Sequence, residues 1–427
     1  MRLIIALLCL FFAHDVAFAE NATFTYLKTV SAAELTRMLN EERATFISAQ
    51  KPGADYELPP VSTASNAVDI YTVRYESRVP EQNDRRIEAS GLLALPVLSE
   101  RSKLPLISYQ HGTVFGKYEV PSYAFQATNP SDYPHYDGSY ETRYMVGLFA
   151  GNGYALMAAD DFGLGGGASN PEAFVVKGST QRGSEDLYRD VGEFLKSKGI
   201  RQQELFLGGW SQGGLNTTGL QERLESDGIP VTAAFTASAP SDPYATLRGL
   251  IFYPRKDFDA PWLNAILALT VFSFENYYGP KDLARQTLDP AVYDDMKAIY
   301  ERSYKGQEGL QVILQRLSTR SLKEYLQPGL RDPVSFGASP YGQLLAAGET
   351  YRQGFRAPLR MFYGTNDEVI KAMNAQLPAI YQAILIGNLS DQSANPVTTE
   401  AVKGATHRLT LISAAPAAKT WLDGLRK

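Results

Sequence analysis

The chain has almost no cysteine: Cys9 is the single one in 427 residues. It lies inside the N-terminal stretch MRLIIALLCLFFAHDVAFA and has no small residue before it, so it lacks the pattern of a lipoprotein acylation site. Beyond that stretch no thiol remains. This excludes disulfides, thiolate metal sites and cysteine nucleophiles, and leaves packing to hold the fold. Histidine is nearly as scarce. Of His14, His111, His135 and His407, the first falls in the same N-terminal stretch, so a histidine metal cluster is not expected and any imidazole base is one of the other three. Positive charge is not in excess: 41 Lys and Arg against 46 Asp and Glu leave a formal net charge of −5. No basic run interleaved with aromatics is present, and nucleic acid is not an expected partner. Membrane-length apolar runs are missing too. The run Leu3 to Phe12 falls well short of the about 20 residues that cross a bilayer. With Arg2 before it and Ala17-Phe18-Ala19 after it, it reads as a secretory signal peptide, residues 1–19. The expectation is export, periplasmic or extracellular, with a mature chain beginning at Glu20 and no stable membrane insertion.

What the chain does have is a composition of 44% hydrophobic and 20% charged residues, enough for a large core and a second, inserted unit. Ser31 and Glu34 form a capping box that opens an amphipathic helix carrying Leu35, Met38 and Leu39. Alternation from Ala67 to Pro96 predicts two strands joined by the turn Glu81 to Arg85. The apolar runs Leu104 to Gln110 and Tyr154 to Asp161 predict strands buried on both faces. Ser184 is expected to cap a helix ending at Gly199. A strand at Glu204 to Gly209, a helix from Gln212 to about Ser226 and a strand at Val231 to Pro240 complete this regular part. From Asp242 to about Gln353 only helical patterns follow, too long a stretch for a loop. Strand and helix alternation resumes at Pro358 to Gly364. This order predicts an α/β fold with a mostly parallel central sheet, a body spanning 20–241 and 354–427, and a helical cap or lid, 242–353, inserted after the sixth strand.

Leu205 to Gly219 reads LFLGGWSQGGLNTTG, and Gly209-Trp210-Ser211-Gln212-Gly213 matches G-x-S-x-G between a strand and a helix. In that context the serine sits in a strained turn at the carboxyl end of the sheet, and the Gln212 N–H opens a helix where it can meet developing negative charge. The chain order then needed is serine, acid, histidine. His407 is the only histidine after Ser211, so the base is chosen by elimination, and its stretch Gly404 to His407 reads as a loop after the last short strand. Asp367, at the end of the strand Pro358 to Gly364, is favoured as the acid, with Asp242 as the competitor and a simple Asn366-Asp367 turn as the bland alternative. The loop Tyr109 to Thr113 supplies a second donor, assigned to the Thr113 N–H. His111 precedes the serine and is assigned to shaping that loop. His135 lies in the tyrosine-rich stretch Tyr118 to Tyr144, which packs or lines a groove.

Two other motifs fail on context. Gly163 to Ala168 fits G-x-G-x-x-A but is not followed by an amphipathic helix to hold a pyrophosphate. Gly112 to Lys117 imitates a phosphate-binding loop but is one residue short, with Tyr118 in place of Ser or Thr. No cofactor and no metal are expected.

YQHGT, GYALMAADDFGLG, GGWSQGG, YGTNDEV and GATH, from Tyr109 to His407, resemble the α/β-hydrolase superfamily. More narrowly, the chain resembles secreted bacterial lipases and esterases of the LipA type, which attack plant cell walls. The resemblance implies hydrolysis of carboxylic esters, cell-wall or glycosylated esters among them, by Ser211, His407 and Asp367 with Thr113 and Gln212 as oxyanion donors. It departs at Trp210, where many relatives carry histidine. An exported serine peptidase and a catalytically silent glycan- or lipid-binding protein of the same fold are the alternatives.

Overall fold

The computed structural model describes residues 22–100, 102–126, 139–387 and 396–427. The signal-peptide reading and His135 lie outside these residues. The strands are β1 Thr23–Val30, β2 Val68–Val79, β3 Arg85–Pro96, β4 Lys103–Gln110, β5 Ala155–Ala159, β6 Arg201–Trp210, β7 Ala233–Ala237, β8 Leu359–Gly364 and β9 Val397–Val402. They form one nine-stranded sheet in the order β1-β2-β3-β5-β4-β6-β7-β8-β9. From β1 through β2 and β3 to β5 every pairing is antiparallel. From β5 to β9 every pairing is parallel.

The helices are α1 Ala32–Ile47, α2 Tyr140–Phe149, α3 Lys177–Ser197, α4 Gln212–Ser226, α5 Pro243–Phe252, α6 Asn264–Tyr278, α7 Leu283–Thr287, α8 Pro290–Glu301, α9 Gly306–Leu317, α10 Pro333–Ala338, α11 Pro340–Ala347, α12 Ala372–Leu385 and α13 His407–Asp423. Because successive strand residues point to opposite faces, the central strands feed two cores. Leu106, Met157 and Leu207 pack with Leu187 and Val191 of α3 and Leu215 and Leu220 of α4. Ile107, Leu156 and Phe206 pack on the other side with Leu39 of α1, Phe149 of α2 and Ile412 of α13. That double burial is why β4 to β7 read as continuous apolar runs rather than as alternation.

Helices α5 to α11 occupy the interval between β7 and β8 and add no strand to the sheet. Their core is not separate. Leu267, Val271 and Phe274 of α6 belong to the same apolar cluster as α3 and α4. Among the described residues no helix is long and apolar enough to cross a membrane.

The structure changes three details of the sequence reading. β1 is an additional edge strand, so the helical interval follows the seventh strand in chain order. Most β1 positions are at least partly exposed, and its register with β2 shifts between Tyr26 and Lys28, which erases the alternation that would have announced it. Helix α3 begins at Lys177, ahead of the expected cap Ser184. Ser184 is buried and donates its hydroxyl to Gln110 Oε1 at 2.9 Å, while Ser179 near the true start donates to Glu81 Oε2 at 2.7 Å. His407 is not in a loop: it is the first residue of α13, after Thr406.

Candidate active site

β6 runs straight into α4 with Ser211 as the only residue between them. Ser211 has φ 57° and ψ −124°, a conformation strongly disfavoured for a residue with a Cβ. The turn survives because its surroundings hold it. The Ser211 N–H donates to Ala237 O at 2.9 Å, tying it to β7, and the Gly214 N–H donates to Ser211 O at 2.9 Å. Gly209 and Gly213 are needed for close approach. A Cβ on Gly213 would fall on the Gln110 carbonyl oxygen, and one on Gly209 would fall on the Gly213 carbonyl oxygen.

His407 Nε2 lies 2.9 Å from Ser211 Oγ, and its Nδ1 lies 3.0 and 3.2 Å from the two oxygens of Asp367. All three side chains are buried. An ionised Asp367 accepts the Nδ1–H, which leaves the Nε2 lone pair facing the serine hydroxyl. Burial by itself would raise the Asp367 carboxyl; the His407 charge and hydrogen bond, with a backbone N–H from Ile370, outweigh it and lower the carboxyl below its ordinary value. The N–H groups of Val369 and Ile370 both reach Asp367 Oδ1 at 2.8 Å. His407 is further held through its main chain. Its N–H donates to Glu368 Oε2 at 3.0 Å, and Trp210 Nε1–H donates to its carbonyl at 3.1 Å, with ring centroids 4.9 Å apart. Asp242, the competing acid, caps α5 instead, accepting from the Ala245 N–H at 2.9 Å.

Thr113 and Gln212 line, with Ser211, a largely apolar cavity of about 50 Å³ whose other walls include Leu215, Leu247, Ile266, Val369 and Ile370. The Gln212 N–H belongs to the first turn of α4, where helix geometry leaves amides without intrahelical partners. Among the described residues no hydrogen-bond acceptor faces the Thr113 N–H. Such a site can deliver an activated hydroxyl to a carbonyl held in the cavity.

Beside Thr113 lies a buried polar cluster that the sequence reading only grazed. His111 Nδ1–H donates to Gly112 O at 2.7 Å, and Nε2 lies 3.3 Å from Asp160 O and 4.0 Å from Asp161 Oδ2. Burial disfavours the imidazolium, but Asp161, Glu141 and the Gly112 carbonyl reverse this and raise His111 above its ordinary value. Asp161, first through burial, is pushed up to about 6. Its carboxylate receives the side-chain amides of Asn216 at 3.2 Å and Gln212 at 3.4 Å. Glu141, from α2, accepts the Gly112 N–H at 3.0 Å and the Tyr109 hydroxyl at 2.5 Å. Glu141 and Asp161 were missed as site residues. The doubled aspartate at the end of an apolar strand was the available signal; Glu141 had none. The two rejected motifs also have structural uses: the Gly166 N–H donates to Ser90 Oγ at 2.7 Å, and Lys117 Nζ donates to Ala168 O at 2.6 Å.

No family model matches the sequence, and no curated protein matches it. Solved structures do. A protein of Legionella pneumophila described as a hydrolase is 19% identical, with a TM-score of 0.76 over 94% of this chain and 97% of that one. The rice cell wall degrading esterase LipA of Xanthomonas oryzae is 18% identical, with a TM-score of 0.73 over 95% of this chain and 98% of that one. Candida antarctica lipase A in its closed state is 14% identical, with a TM-score of 0.62 over 84% of this chain and 79% of that one. A mostly parallel sheet in this order, overlaid along most of its length on these structures, makes the fold of this chain that of the α/β-hydrolases.

Proposed function

We propose that the protein is an exported serine hydrolase that cleaves carboxylic esters through an acyl-enzyme. The observation that carries this reading is the hydrogen-bonded series Ser211, His407, Asp367 at the wall of an apolar cavity. Ser211 Oγ attacks the ester carbonyl while His407 Nε2 takes its proton. The carbonyl oxygen becomes an oxyanion facing the N–H groups of Thr113 and Gln212. When the tetrahedral centre collapses, the C–O bond to the alcohol breaks and His407 returns its proton to the departing oxygen. Water then repeats the sequence on the acyl-serine, releasing the acid and restoring the enzyme. Asp367 keeps the imidazole in the productive tautomer and stabilises its cation, without itself taking the proton.

The apolar walls suit the acyl group or another apolar part of the ester. Residues 242–353 act in this reading as a cap over a body formed by 20–241 and 354–427; Trp262, Leu263, Ile266 and Thr270 support it by lining the same cavity as Ser211. The likeness to a rice cell wall degrading esterase supports including cell-wall esters among the substrates, and glycosylated esters belong to the same proposal. Residues 1–19, read from their sequence as a signal peptide, support export.

The test is a panel of p-nitrophenyl acyl esters and feruloyl esters beside peptide anilides, assayed with the wild-type chain and Ser211→Ala. Ester turnover that disappears in Ser211→Ala, together with fluorophosphonate labelling of Ser211 alone, is expected. Preference for the anilides, or labelling that survives the substitution, would overturn the reading.

A further inference from the structure

The loop that carries Thr113 is held from both sides, and one of its anchors comes from the helical interval. On the α2 side, the Gly112 N–H is fixed by Glu141. Beyond Thr113, Phe115 N–H and Gly116 N–H donate to Glu119 Oε2 at 3.0 and 2.9 Å. The carbonyls of the same segment are taken by residues just after α8. Arg302 Nη2 donates to Val114 O at 3.2 Å, and the Tyr304 hydroxyl donates to Phe115 O at 2.6 Å. Two donors, two residues apart in the interval, thus reach two consecutive carbonyls of one loop.

Arg302 is an unusual choice for a bland packing role. Its side chain is 1% exposed and is paired at 2.5 Å with Glu172, which is 3% exposed. Its backbone has φ 56°, the left-handed region that glycine would occupy more readily. The planar guanidinium divides its contacts between two nitrogens: Nη1 donates to Tyr300 O at 2.7 Å, and Nη2 donates to Val114 O and pairs with Glu172. A lysine could not reproduce that fork.

We propose that Arg302 and Tyr304 are positioning residues for oxyanion binding: by holding the Val114 and Phe115 carbonyls they set the direction of the Thr113 N–H toward the carbonyl oxygen of the substrate. The inference rests on the ester-hydrolase reading above. It makes the helical interval part of the catalytic geometry as well as a wall of the cavity. Because the effect is exerted on the Thr113 donor, it falls on the tetrahedral state, where negative charge develops, and not on the ground-state ester.

Tyr304→Phe is the main test, since it removes one hydroxyl and keeps the ring. Arg302→Met and Arg302→Lys accompany it in the full chain. Each is measured for kcat and KM on a short p-nitrophenyl ester, for the inhibition constant of an alkyl boronic acid, whose serine adduct mimics the tetrahedral oxyanion, and for Tm. Tyr304→Phe is expected to lower kcat about 10-fold with KM nearly unchanged and to weaken the boronate in proportion. Arg302→Lys should fall with Arg302→Met rather than restore activity. If Tyr304→Phe lowers Tm while kcat and boronate affinity stay at wild-type values, or if KM alone changes, the assignment is overturned. The wild-type chain on the same ester reports on the hydrolase reading, and the variants relative to it report on this one.

Discussion

Asp367 and His407 stand 40 residues apart in the chain, yet the His407 Nδ1 lies 3.0 Å from the Asp367 carboxylate. Asp367 ends the turn after β8, and His407 begins α13, which starts shortly after the neighbouring parallel strand β9. The sheet therefore brings acid and base to the same edge. Asp367→Asn keeps the shape of the side chain but turns an amide N–H toward the imidazole, favouring the wrong tautomer. Turnover is expected to fall by several orders of magnitude, about 10⁴ in a comparable Ser-His-Asp triad. Asp242→Asn is expected to stay close to wild type, because asparagine caps a helix as well as aspartate does and burial already raises the Asp242 carboxyl. Steady-state kinetics on one ester decide between them; the opposite ranking would exchange the two roles.

The positive φ of Ser211 is a cost that only the serine hydroxyl justifies. Ser211→Ala and Ser211→Gly both remove the proposed nucleophile and are both expected to be inactive. Glycine relieves the backbone strain, partly offset by the greater freedom it confers on the unfolded chain. The glycine variant should therefore be more stable than the alanine variant by about 1 kcal/mol. Paired denaturant titrations measure this, and equal midpoints would show that the turn is not strained.

Asp190 on α3 is pushed up to about 7, first by burial and then by the charge of Asp186 one turn earlier. Its folded value lies above its unfolded one, so the folded state binds the proton more tightly. The sign follows: the contribution to stability is complete below the ordinary aspartate range, near 3.9, and is lost as pH rises through about 7. Asp190→Asn should raise Tm at pH 8, by about 2 °C after allowing for solvent screening, and have little effect at pH 4. Calorimetry at the two pH values checks this; an equal shift at both would remove the ionisation as the cause.

Ile266 of α6 lines the same cavity as Ser211. Enlarging it with Ile266→Ala and filling it with Ile266→Phe should move the ratio of kcat/KM between long and short acyl esters in opposite directions, by about 10-fold in total. Fluorophosphonate labelling of Ser211 should persist in both. A uniform loss on all chain lengths would make Ile266 part of the core of the interval and not of the substrate wall.

The residues of the candidate site are legible in the sequence because the proposed chemistry restricts them so severely. Glycines around a serine at a strand end and one histidine downstream leave few arrangements, and the alternation of buried strands with helices dictates a parallel sheet. Local pattern favours Asp367, at the end of a strand, but leaves Asp242 open as the carboxylate that meets the imidazole. That choice came from strand adjacency: β8 lies beside both β7 and β9, which puts Asp367 next to His407 and leaves Asp242 to cap α5. The same holds for β1, whose exposed, shifted register hides its period. It holds for α3, whose first turns are polar because Ser179 and Ser184 bond to other elements and do not cap. The anchors of the Thr113 loop were least legible of all. Glu141, Arg302 and Tyr304 come from α2 and from the far end of α8. A buried charge or hydroxyl declares its purpose only when the group that satisfies it is in place, and that partner is supplied by the tertiary structure.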